Sequence, residues 1–158
     1  MFSFFIKSYT MTQSNIIENS PELIEKMNIV LRMFRQKKND FEMAAAHVPE
    51  ESLKSMILSL AQESNQYASE WQSQIQTLGG KAENDTEEGV FLTDSSIENG
   101  ADILSFCESN EEKMINAYSE MLDFPGLYEG MKKMINYQLN GIHSAFMQLR
   151  LLSNLRPY

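Results

Sequence analysis

The chain has 158 residues, enough for one domain with a sizeable core, and its apolar content of 42% is ordinary for a globular protein. Net charge is −9, and Glu83 to Glu112 carries ten acids without a base. That balance argues against nucleic acid or an anionic membrane surface as partner, because like charge repels. No apolar run approaches the roughly 20 residues that span a bilayer. The single Cys107 excludes an internal disulfide and fits a small core hydrophobe in a reducing cytoplasm.

The opening MFSFFIKSYT is briefly apolar, but Lys7 interrupts it and no small-residue cleavage site follows, so a signal peptide is not expected. Residues 1–19 are expected to be a disordered lead-in, and residues 20–156 a single domain. Ser20-Pro21-Glu22 is a helix start: serine caps, proline suits the first helical position and glutamate favours the dipole. Leu23, Met27, Val30, Leu31, Phe34, Phe41, Ala45 and Val48 then recur at spacings of three and four, predicting a helix over 21–48 that breaks at Pro49.

A second helix is predicted over 50–78, with the stripe Leu53, Ile57, Leu60, Ser64, Tyr67, Trp71, Ile75 and Leu78 ended by Gly79-Gly80. Repeated three-four steps over this length imply bundle packing near +20°. The segment 79–100 is polar and rich in turn formers around a brief VFL anchor. A third helix over 101–122 would face Leu104, Cys107, Glu111, Met114, Tyr118 and Met121 inward. After Phe124-Pro125-Gly126, a fourth over 127–155 would carry Met131, Met134, Gln138, Ile142, Ala145, Leu149 and Leu152. Short links make each hairpin antiparallel. The first helix is ~40 Å long, and 20 extended residues reach ~65 Å, so the middle link can traverse the bundle. The expected fold is all-α: a ferritin-like four-helix bundle with a long crossover between helices two and three, the alternative being a loose link between hairpins in plain up-down topology.

Residues 37–48 (KKNDFEMAAAHV), 58–80 (LSLAQESNQYASEWQSQIQTLGG), 107–122 (CESNEEKMINAYSEML) and 138–149 (QLNGIHSAFMQL) resemble a bacterial group of four-helix-bundle proteins known as a domain of unknown function in the ferritin-like class. The resemblance spans about residues 22–154. It implies a ferritin-like bundle and no established activity.

A carboxylate-bridged di-metal centre needs acids from all four helices and two Glu-x-x-His pairs, the spacing that puts both ligands on one helical face. The two histidines are His47 and His143, preceded at that spacing by Ala44 and Asn140, so the motif is absent. Glu63 is followed by Gln66 where the histidine would stand. On the first helix the inner slot between Phe34 and Phe41 falls to Lys37 or Lys38, where a dication would be repelled. Glu63, Glu108, Glu111 and His143 could hold one divalent ion such as iron, manganese or zinc. The competing reading is a hydrogen-bonded polar seam of Gln66, Tyr67, Tyr118 and Gln138.

His143 as a general base lacks a nucleophile or orienting partner, and the eleven methionines fall mostly on the stripes as core filler. The expectation is therefore a non-catalytic cytoplasmic bundle without a cofactor that self-associates or binds a protein partner. The alternative is a degenerate metal site or relic oxidase. A small-molecule pocket near Gln66, Glu111 and Gln138 is a third possibility. Apolar residues off the stripes (Ile24, Phe106, Tyr128, Tyr137 and Phe146) point to an exposed patch.

Overall fold

The computed structural model describes the backbone of residues 2–83 and 100–154, with side chains for residues 21–83, 105–106 and 109–151. Four helices, α1 (Phe2–Ala46), α2 (Glu51–Thr77), α3 (Gly100–Leu122) and α4 (Glu129–Asn154), account for the described secondary structure, and no strand occurs among these residues. None of the described helices is long and apolar enough to cross a membrane. The bundle is all-α, as its three-four periodicity requires.

α1 extends upstream of the Ser20-Pro21-Glu22 signal, with Pro21 inside it. Proline's fixed φ is helical, and what it removes is one amide bond to the preceding turn. The expected lead-in, residues 1–19, lies outside the described side chains, as do Leu104, Cys107, Glu108 and Leu152. The path of residues 84–99 also lies outside the described residues.

α2 ends as its Leu78-Gly79-Gly80 sequence dictates. Gly79 takes φ +79, its N–H bonds the carbonyl of Gln76 at 3.0 Å, and the Gly80 N–H reaches the carbonyl of Ile75 at 2.9 Å. This pair of bonds is the Schellman closure, which needs a left-handed residue after the cap. A Cβ on Gly80 would stand 2.6 Å from Ile24, so the same glycine lets α1 close over the helix end. Beyond it, Asn28 of α1, 5% exposed, donates to the Lys81 carbonyl and accepts from the Glu83 amide, pinning the outgoing chain.

α1 packs on α2 and α3, and α4 packs on α3 and α2. Side-chain pairs give each contact its sense. Phe34 meets Tyr67 while Arg35 reaches Gln72 and Asn28 reaches Lys81, so α1 and α2 run antiparallel. Phe34 meets Tyr118 while Phe41 meets Phe106, so α1 and α3 also run antiparallel. Glu111 meets His143 while Tyr118 meets Gln138, giving α3 and α4 the same relation.

The stripes form two apolar clusters. One centres on Phe34, Trp71, Tyr118 and Met131, the other on Phe41, Ile57, Leu60 and Leu149. Ile135, fully buried, takes the inward place expected of its neighbour Met134, which is half-buried. Of the residues expected to make an exposed patch, Ile24, Phe106, Tyr128 and Phe146 are half-buried against the two clusters, and only Tyr137 is exposed. Long and aromatic side chains at the edge of a stripe can lean back over the core, which spacing alone does not register.

Candidate functional site

Two polar groups interrupt the apolar seam, about two helical turns apart on α2. The first is built around Gln138 of α4, which is fully buried. Its carbonyl oxygen accepts from Trp71 Nε1 at 2.7 Å and from the Tyr118 hydroxyl at 2.5 Å, while its amide nitrogen donates to Glu70 at 2.7 Å. Trp71 and Tyr118 stack at 6.2 Å with an interplanar angle of 18°. Burial raises the Tyr118 hydroxyl far above the usual tyrosine range, so it stays a donor at any ordinary pH. The hub of this group is the neutral amide of Gln138, and it ties α2, α3 and α4 together.

The second group is charged. Lys37 of α1 is 8% exposed, with its ammonium 5.6 Å from the Phe34 ring centre and 5.7 Å from that of Phe41. An ammonium desolvated between ring faces gains cation–π attraction. Lys37, Glu63, Ser64, Tyr67 and Glu111 share with Phe34, Phe41 and Leu149 the lining of a cavity of about 20 Å³. That is room for roughly one water. Burial raises the Glu63 carboxyl above its ordinary value, and the Lys37 charge opposes the shift. Glu111, also buried, accepts a 2.8 Å hydrogen bond from His143 Nδ1, whose side chain is half-exposed.

Tyr67 closes one wall. Its hydroxyl lies so near the α4 backbone that a Cβ on Gly141 would be 2.0 Å away. Only glycine permits that approach. Burial, with Glu63 adding its charge, holds this hydroxyl well above the usual range.

Among the residues expected to matter, Glu63, Glu111 and His143 gather at the charged group, and Tyr67 borders it. Tyr118 and Gln138 belong to the neutral group. Gln66 faces solvent, because a residue three after Glu63 turns past the α2–α4 contact to the outer surface. It joins neither group, and Gln66, Glu111 and Gln138 do not share a pocket. The side chain of Glu108 lies outside the described residues. No group of three or more His, Cys, Asp or Glu is gathered for a metal ion among the described residues.

Two participants were left unresolved by the sequence. Lys37 and Lys38 competed for one inner slot, and only the turn of the helix decides that Lys37 goes inside while Lys38 pairs with Glu42. Trp71 appeared as a core aromatic, although an indole N–H buried on a stripe needs an acceptor and could have been matched to Gln138. No protein-family model matches this chain, and no curated protein matches it, so what the site can do is argued from its own residues.

Proposed function

We propose that the chain is a non-catalytic, ferritin-like four-helix bundle with a crossover between α2 and α3, which works through its surface by self-association or by binding a protein. Support for the crossover comes from the pairing senses: α1 is antiparallel to both α2 and α3, so α2 and α3 run parallel, the relation a crossover between them implies.

The observation that carries the non-catalytic reading is Lys37. In a bundle of this kind a metal ion would be held by acids from all four helices. Here the cation that lines the cavity with Glu63 and Glu111 is the protein's own ammonium, buried and braced by two phenylalanine rings. It offsets carboxylate charge that an ion would otherwise neutralise, and it repels a dication at close range. The cavity beside it holds about one water, too little for an organic substrate.

One observation favours a second reading, divalent-metal binding at a degenerate site. The Glu111–His143 pair, with Glu63 across the cavity, offers oxygen and nitrogen donors near one another. Metal analysis of the full chain, purified and then equilibrated with ferrous iron, manganese or zinc, separates the two. The expected result is no stoichiometric ion. One bound ion per chain that disappears in both Glu111→Ala and His143→Ala would establish the metal reading and end the first.

A further inference from the structure

The outward face of α4 is unlike the rest of the surface. From Met134 to Leu149 the sequence holds no Asp, Glu, Lys or Arg, sixteen residues in a chain that is 22% charged. A solvated helix face normally carries charge. Here the exposed positions are Asn136, Tyr137, Asn140, His143, Ser144, Met147 and Gln148, with Leu151 one turn further on. Tyr137 is 67% exposed, Met147 65% and Leu151 63%, the three most exposed large apolar side chains described. Surfaces that are covered by another protein are depleted in charge and enriched in Tyr and Met.

We infer that this face is where two copies of the chain pair, α4 against α4, about a two-fold axis near Ser144. The inference rests on the reading that the bundle works through its surface. A second copy is the occupant that the pattern favours for two reasons. Positions 137, 140, 144, 148 and 151, all exposed, follow steps of three, four, four and three and so are symmetric about Ser144, as an isologous contact demands. Antiparallel pairing sets Tyr137 of one copy level with Leu151 of the other, and it closes small Ser144 on itself. The charge pattern agrees. Two chains of net charge −9 repel wherever acids meet, and from Gly130 to the C-terminus there is no acid. This face lets them approach without opposing carboxylates, and its exposed uncharged side chains cover each other.

Sedimentation of the full chain, alone and as Ser144→Lys, tests the pairing. Position 144 is exposed and lysine is a good helix former, so the variant keeps its fold, which circular dichroism verifies. Wild type is expected to sediment as two 18.2 kDa chains at micromolar concentration. Ser144→Lys sets two ammoniums together at the axis and is expected to weaken association about a hundredfold. Under mild oxidation, Ser144→Cys is expected to form a disulfide between copies, since residues on the axis fall within bridging distance. Ser119→Cys on the exposed side of α3 should not. A wild type that stays monomeric overturns the inference, and so does a dimer that ignores Ser144→Lys. Neither result touches the metal analysis, so failure of the pairing and failure of the proposed function remain distinct.

Discussion

The two polar groups of the seam solve one problem in opposite ways. Around Gln138 the side-chain oxygen accepts two hydrogen bonds and the amide nitrogen donates one to Glu70, all between 2.5 and 2.7 Å. Around Lys37 the balance is electrostatic. A buried ammonium stands near two carboxylates, one of them held by a histidine, beside space for about one water. A directional hydrogen-bond network centred on a neutral amide fixes register because any slip leaves buried groups unpaired. A charged group tolerates adjustment, since Coulomb attraction falls slowly with distance and water can enter. The neutral group holds the helices in place, and the charged group decides what the seam can accept.

The largest effect is expected where this hydrogen-bond network is broken. Gln138→Leu keeps volume but strands the Trp71 N–H and the Tyr118 hydroxyl in an apolar interior, at about 1–3 kcal/mol for each orphan. Denaturant unfolding should show a loss of about 3–5 kcal/mol, with the slope unchanged because the exposed surface on unfolding is the same. A loss below about 1 kcal/mol would mean that water replaces the missing amide and that the network does not set register.

A smaller break lies at the border between the groups, where Tyr67 rests on Gly141. In an open helix, alanine would be more favourable than glycine by about 1 kcal/mol. Here the added methyl collides with the hydroxyl, so Gly141→Ala should destabilise by about 1–2 kcal/mol, as overpacking does. Tyr67→Phe removes the colliding oxygen, and in that background the alanine should cost little or become favourable. The double-mutant cycle reads this coupling directly. Additive losses would show that the close approach is not what the glycine serves.

How much of this was legible in the sequence differs between the groups. The stripes gave the apolar shell, since a residue such as Trp71 or Met114 has one inward direction on a helix whatever it touches. Glu63, Glu111, His143 and Gln138 could be singled out as polar residues on or beside that stripe. Their division into two separate groups could not, because it depends on the vertical offset between helices, and loop length does not determine offset to one turn. Gln66 shows the limit within a single helix. Its spacing from Glu63 suits a shared face, yet the α2–α4 contact turns it to solvent. Lys37 was ambiguous with Lys38 for the same reason, and a hundred degrees of rotation separates a buried cation from an exposed one.

The smallest expected effect sharpens the charged group through pH. Burial raises the Glu63 carboxyl above its ordinary 4.5, and the nearby Lys37 charge only partly opposes this. The folded chain therefore binds this proton more tightly than the unfolded chain does. By linkage, the stabilising contribution is full below the ordinary carboxylate range and is lost as pH rises through the raised value. That direction is the reverse of a salt-bridged acid, whose contribution is lost as pH falls. Glu63→Gln keeps the shape and removes the proton, so the difference between wild type and variant should drift against wild type across that window and then level off. Unfolding at stepped pH, from acid to neutral, measures it. A difference that stays constant would mean Lys37 neutralises Glu63 fully, and the charged group would then be as closed as the neutral one.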